Sequence, residues 1–281
     1  MKCRASLQVY KGQRRRIVLF NPTTLRRLVV KVGTSTLTYP TGRLNLRHID
    51  MLVRVLSDIK NSGIDVILVT SGAIGVGMSK LGMTARPHEL RYKQAAAAVG
   101  QCELMHIYDK FFLDYGQTVG QMLITRDDID QPTRHEKIID TFDALIATGA
   151  IPVVNENDST GVEEILFGDN DSLSAEVAVI SRADLLVILS DIDGLYDSDP
   201  HKNPEAKIIS VVHEITDSLR ECAGGAGTSL GTGGMITKLQ AAEITLRAGI
   251  PMIIANGDDP EALYHIAAGN YTGTLFIPMA E

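Results

Sequence analysis

From Leu28 onward the chain alternates short apolar runs with longer segments of helical periodicity, and no other feature restricts the fold as much. Leu28–Val32 reads as a strand ending at Gly33. Leu46, Ile49, Leu52, Val53, Leu56 and Ile59 then recur along one helix face, which Gly63 closes. Val66–Val69 is apolar at every position, as a strand buried on both faces must be. The pattern continues with an alanine-rich helix from Glu89 to about Tyr115, a strand at Val119–Ile124, a helix over Pro132–Thr148 and a strand at Ile151–Val154. Ser172–Ser181 with Leu185–Leu189, and Thr237–Arg247 with Pro251–Ile254, repeat it. This order predicts an α/β fold, a mostly parallel sheet with helices on both faces, whose ligands bind beyond the carboxyl ends of the strands. Without a linker or repeat after Leu28, residues 28–281 read as one domain, with Tyr196–Lys207 a surface loop.

Composition narrows the classes further. At 281 residues, 44% apolar and 22% charged, the chain is neither disordered nor fibrous. The uncharged run Cys222–Thr237 has 16 residues and six glycines, which cannot form the ~20-residue apolar span of a membrane helix. Cys3, Cys102 and Cys222 are too far apart in sequence for a Cys-x-x-Cys metal site, and their number suits a reducing, cytoplasmic setting. The net charge of −7 hides an asymmetry: residues 1–28 carry eight basic side chains and no acidic one, leaving 19 basic against 34 acidic in the remainder. An acidic body disfavours nucleic-acid binding. The basic segment 1–27 reads as a disordered extension outside the fold; an upstream start codon read through, or a weak organelle-targeting segment, are its other readings.

The informative residues follow the strands. Lys31-Val32-Gly33-Thr34-Ser35-Thr36 ends the first and Thr70-Ser71-Gly72-Ala73-Ile74-Gly75-Val76-Gly77 the second. Asn155-Glu156-Asn157-Asp158 and Ser190-Asp191-Ile192-Asp193 end two more, and Gly231-Thr232-Gly233-Gly234-Met235-Ile236-Thr237-Lys238 opens a helix. Glycines at strand-to-helix turns often serve only the backbone, and a lysine ending an apolar strand usually reaches solvent. Two glycine-rich turns feeding helices are more telling, because bare N–H groups and helix dipoles suit a phosphate chain. Lys31 and Lys238 beside such a path supply the positive charge that phosphoryl transfer needs. Gly-x-x-Gly-x-Gly is not the dinucleotide fingerprint, and the lysine after Thr237 is not placed as in a Walker A loop. Asx-rich segments cap helices, yet Asn155–Asp158 is denser than capping requires: asparagine amides could hold a carboxylate and Asp158 an ammonium, an amino-acid site. No spacing supports zinc, and no protein metal site is expected beyond a Mg²⁺ carried by a nucleotide. None of the histidines is assigned to catalysis, and Ser71 lacks the frame of a hydrolase nucleophile.

Together, Lys31–Leu37, Thr70–Gly77, Asn155–Asp158, Phe167–Ala175, Ser190–Tyr196 and Gly231–Lys238 resemble the glutamate 5-kinases of the amino acid kinase family, in order and spacing, over about residues 28–277. The resemblance implies a three-layer α/β/α sandwich and ATP-dependent phosphorylation of the γ-carboxylate of L-glutamate, the first step of proline biosynthesis. It implies Mg²⁺, a homodimer or homotetramer, and feedback inhibition by L-proline at a site overlapping that of glutamate. Carried over residue by residue, it gives Lys31 and Lys238 the phosphates and makes Asp171 the group orienting both. Ser71, Asn155, Asp158 and Asn170 would hold glutamate, while Lys31, Gly33, Ser190, Asp191, Thr232, Gly233, Gly234, Met235, Ile236, Thr237 and Lys238 would line the ATP site. Many members continue into a PUA domain, which is not expected in a chain ending at Glu281. A γ-carboxylate, with a pKa near ~4.3, is ionised at neutral pH, so the missing catalytic histidine is no obstacle. A sister kinase with another acceptor and a non-catalytic ATP sensor are the rival readings, the second disfavoured by retention of both lysines.

Overall fold

The computed structural model describes residues 22–39, 41–161, 170–200, 203–223 and 234–278. The strands are β1 (Arg27–Val32), β2 (Asp65–Val69), β3 (Val119–Ile124), β4 (Ile151–Glu156), β5 (Leu185–Ser190), β6 (Val211–Val212), β7 (Met252–Asn256) and β8 (Thr274–Phe276). They form one 8-stranded sheet in the order β3-β4-β2-β1-β5-β7-β8-β6. From β3 through β7 every pairing is parallel; β8 runs antiparallel to β7 and carries β6 parallel to itself at the edge.

The helices are α1 (Thr34–Leu37), α2 (Leu46–Asn61), α3 (Ala73–Lys80), α4 (Leu90–Asp114), α5 (Arg126–Asp130), α6 (Pro132–Ala147), α7 (Asn170–Ile180), α8 (Asp217–Ala223), α9 (Met235–Arg247) and α10 (Ala262–Ala267). They sort onto the two faces of the sheet by the pleat of the strands. Leu28, Val30 and Val32 of β1 pack in one core with apolar residues of α2, α4 and α10. Val29 packs in the other, with α6, α7 and α9. Side chains alternate along a strand, so Lys31 has the parity of Val29 and faces α7 and α9. Helices on both faces of a largely parallel sheet make the α/β/α sandwich that was expected.

Local chemistry starts the helices. The Asn45 side chain accepts the His48 N–H at the head of α2, and Pro132 opens α6, where its missing N–H would be unpaired in any case. The expected strands and helices recur within a few residues, with three differences, the first that Ala73–Gly77, read as part of a strand-to-helix turn, forms the start of α3. Asn155 and Glu156, read as a loop, are strand residues, because the ladder to β3 continues through Leu123↔Asn155 and Ile124↔Glu156. The fold also begins before Leu28: Leu25 is buried in the core, and the Arg26 and Arg27 N–H groups both donate to Asp184, at 2.7 and 2.8 Å. Residues 1–21 lie outside the described residues. Among the described residues no helix is long and apolar enough to cross a membrane.

Candidate active site

The carboxyl ends of β4, β2, β1 and β5 lie side by side, and each delivers polar residues to the same edge of the sheet. At the centre is Asp171, in the first turn of α7, with a fully buried side chain. Its Oδ1 lies 2.6 Å from Lys31 Nζ and its Oδ2 3.2 Å from Lys238 Nζ, and both ammonium groups are themselves almost wholly buried. The Thr237 hydroxyl stands 2.9 Å from the same Oδ2 and 2.7 Å from the Gly234 carbonyl. Burial works to raise the Asp171 pKa; the pull of Lys31 and then Lys238, with hydrogen bonds from Lys31 and Thr237, outweighs it and holds the carboxyl below its ordinary 3.8. A strand, a helix start and a second helix thus meet at one carboxylate, leaving two cations adjacent.

On the β2–β4 side a second group assembles. The Asn170 amide nitrogen lies 3.0 Å from Ser71 Oγ and 2.8 Å from Asn155 Oδ1, and it also donates to the Thr70 carbonyl. Asn155 Oδ1 further accepts the Glu156 N–H at 2.9 Å. The Asn170 amide thus ties Thr70, Ser71 and Asn155 together, next in sequence to the carboxylate that holds the lysines. Asp158 lies in the turn after β4, and its carboxylate makes no hydrogen bond or ion pair among the described residues. Burial pushes it up to about 6, partly offset by the charge of Arg86.

Beyond β1 on the other side, Ser190 is buried at the end of β5, its hydroxyl 3.1 Å from Asp191. Gly33 caps α1 and Gly234 caps α9, both with extended backbone and neither with a side chain to cap the first turn. Met235 is buried and Ile236 exposed. Thr232 and Gly233 lie outside the described residues. A Cβ at Gly33 would meet nothing closer than 3.8 Å, with Lys31 Nζ among its neighbours, so no close approach requires this glycine. The glycines after β2 divide differently. Gly72 holds a left-handed φ of +95°, whereas Gly77 is pressed against the backbone of α4 and faces no ligand.

Sequence reasoning missed Gln101 and Tyr108 of α4. Gln101 Oε1 accepts from Asn155 Nδ2 at 2.7 Å, and the Tyr108 hydroxyl lies 2.8 Å from Thr70 Oγ1. The signal was present: Ala97, Gln101, Leu104, Tyr108 and Phe112 share the buried stripe of α4, and a glutamine there needs a polar partner.

A family model described as the amino acid kinase family matches residues 26–256. The chain belongs to that family. Two relatives named glutamate 5-kinase, from Clostridium perfringens and Clostridium acetobutylicum, are 54% and 56% identical over 256 residues, covering 90% and 91% of this chain and 95% and 96% of their own. The crystal structure of Giardia lamblia carbamate kinase bound to AMP-PNP matches with a TM-score of 0.66 at 16% identity, covering 91% of this chain and 99% of its own. A Bacillus anthracis UMP kinase matches at 0.63 and 17%, covering 91% and 97%. These two share the fold of the family.

Asp171→Ala leaves two buried ammonium groups without a counter-charge, and thermal unfolding should show a loss of about 3–5 kcal/mol. In the unsubstituted protein the stabilisation from Asp171 is complete at neutral pH and lost as pH falls below about 4, since its folded-state pKa lies under the free value. A melting temperature unchanged by the substitution would contradict this geometry.

Proposed function

We propose that this chain transfers the γ-phosphoryl group of ATP to the γ-carboxylate of L-glutamate, giving L-glutamyl 5-phosphate in the first step of proline biosynthesis. The observation that carries the reading is the placement of Lys31, Asp171 and Lys238 on β1, α7 and α9, between an amide-lined pocket at β2–β4 and the end of β5. The relatives named glutamate 5-kinase support the choice of acceptor. Ser71, Asn155 and Asn170 are suited to the substrate's carboxylates and Asp158 to its ammonium group. Ser190, Asp191 and the α9 start from Gly234 to Lys238, with Thr232 and Gly233 before it, are assigned to ATP.

A carboxylate oxygen attacks the γ-phosphorus in line as the bond to the ADP oxygen breaks, and no proton needs to leave the nucleophile. Two anions must nevertheless be held in contact. Lys31 and Lys238 offset their repulsion, and the open amides after Gly33 and Gly234 add fixed dipoles. The family's use of ATP calls for a divalent metal, and we assign Mg²⁺. The acidic group nearest the lysines, Asp171, is taken up by both of them, and among the described residues no three His, Cys, Asp or Glu side chains gather to hold a metal. This donor set suits an ion bound through phosphate oxygens, where it would withdraw charge from the migrating group. L-Proline, with an ammonium and a carboxylate on one carbon, suits the Asp158 end of the pocket as a competitor. A cytoplasmic setting and a homo-oligomer complete the proposal.

A hydroxamate assay with ATP and glutamate, with and without proline, tests the assignment; folded protein that yields no glutamate-dependent hydroxamate refutes it. Lys31→Ala and Lys238→Ala should each lower kcat by about a hundredfold or more with smaller changes in KM. Asp158 must be ionised to meet an ammonium group, and burial raises it to about 6. The KM for glutamate should therefore be flat above about pH 7 and rise roughly tenfold per unit below pH 6. Asp158→Asn should raise that KM at pH 8 and flatten the profile. A normal KM in this variant would sink the role of Asp158.

A further inference from the structure

The residues assigned to the acceptor site at β2–β4 adjoin two helices. Ser71 immediately precedes α3 and its cap, Gly72. Gln101, bonded to Asn155, belongs to α4. Where these helices cross, no side chain separates them. A Cβ on Gly77 would stand 1.7 Å from the Ala96 carbonyl oxygen and 2.9 Å from the Gly100 nitrogen. One on Gly100 would stand 1.8 Å from the Ala73 carbonyl oxygen and 2.5 Å from the Gly77 nitrogen. Every obstructing atom is backbone, so nothing can swing aside. Neither glycine has a positive φ, so what each provides is closeness, not backbone freedom.

Directly after Gly100, Gln101 is 8% exposed, and its Nε2 has no hydrogen-bond partner among the described residues. A buried amide donor left unpaired is costly, and an acceptor on a bound substrate would relieve it. Two turns further along α4, the fully buried Tyr108 holds the Thr70 hydroxyl, while the Thr70 carbonyl accepts from Asn170. The helix is therefore tied to both sides of the pocket.

We propose that α4 is the gauge of the acceptor pocket. Backbone contact at Gly77 and Gly100, with the Tyr108–Thr70 hydrogen bond, sets the distance of Gln101 from Ser71, and thereby the affinity and chain-length selectivity for the acceptor amino acid, while strand pairing fixes Ser71 against Asn155. Gly77, Gly100 and Tyr108 are positioning residues that act through Ser71 and Gln101. The inference rests on reading Ser71, Asn155 and Asn170 as the glutamate site.

The test compares the full chain with its Gly77→Ala, Gly100→Ala and Tyr108→Phe variants in steady-state kinetics with glutamate, with L-2-aminoadipate, one methylene longer, and with ATP, alongside thermal melting. A methyl group that forces α3 and α4 apart should raise the KM for glutamate about tenfold and shift kcat/KM toward aminoadipate by a similar factor, with the KM for ATP within about twofold. Tyr108→Phe adds no bulk and keeps the reading open if the alanine variants do not fold; it should raise the KM for glutamate roughly three- to tenfold. A Tyr108→Phe enzyme with unchanged glutamate KM and unchanged selectivity overturns the proposal, as does an equal loss toward ATP. A chain with no glutamate turnover before any substitution overturns the reading of the site itself.

Discussion

The site depends on one carboxylate holding two ammonium groups in a space from which water is largely excluded. Lys31 and Lys238 come from a strand and a helix far apart in sequence, and two buried like charges cannot lie close together without a counter-charge between them. Asp171 supplies it, at the start of α7, where the helix dipole favours a negative side chain. The same residue needs the lysines, since its own burial would otherwise favour the protonated form. The three groups are mutually conditional. What emerges is a pre-formed pair of cations that need not be reorganised when phosphate arrives.

This local arrangement answers a difficulty posed by the charge count. Apart from its first 28 residues the chain has 19 basic and 34 acidic side chains, yet the proposed substrates are both anions. The overall field would repel them, so attraction has to be short-ranged. In the proposed site it comes from Lys31 and Lys238, on the β1 side of the group formed by Ser71, Asn155 and Asn170. Asp158 is proposed to supply the negative group that an amino-acid acceptor, unlike a plain carboxylate, can use.

Much of this was legible in the sequence, for identifiable reasons. A parallel strand covered on both faces is mostly apolar, so β1, β2, β4, β5 and β7 stand out as short apolar runs, and polar residues such as Lys31 and Asn155 at or near their carboxyl ends are conspicuous. β6 and β8, of two and three residues, carry too little pattern to be seen. α3 was hidden for a different reason: Ala73-Ile74-Gly75-Val76-Gly77 is poor in helix formers, and it packs as a helix because Gly77 lets it rest on α4. Asn155 and Glu156 look like loop residues, and only the ladder to β3 makes them strand. The spacing along α4 marks Gln101 as a buried polar residue, but not that its partner is Asn155, 54 residues away in sequence.

The turnover number of Asp171→Asn at saturating ATP and glutamate tests the central claim most directly. Asparagine preserves the shape of the side chain but removes the charge that holds Lys31 and Lys238 together. If the paired lysines depend on that carboxylate, kcat falls by about a hundredfold or more, the penalty of small displacements at a reacting centre, while both KM values change little. A folded Asp171→Asn enzyme with kcat within about threefold of the unsubstituted chain would contradict the account.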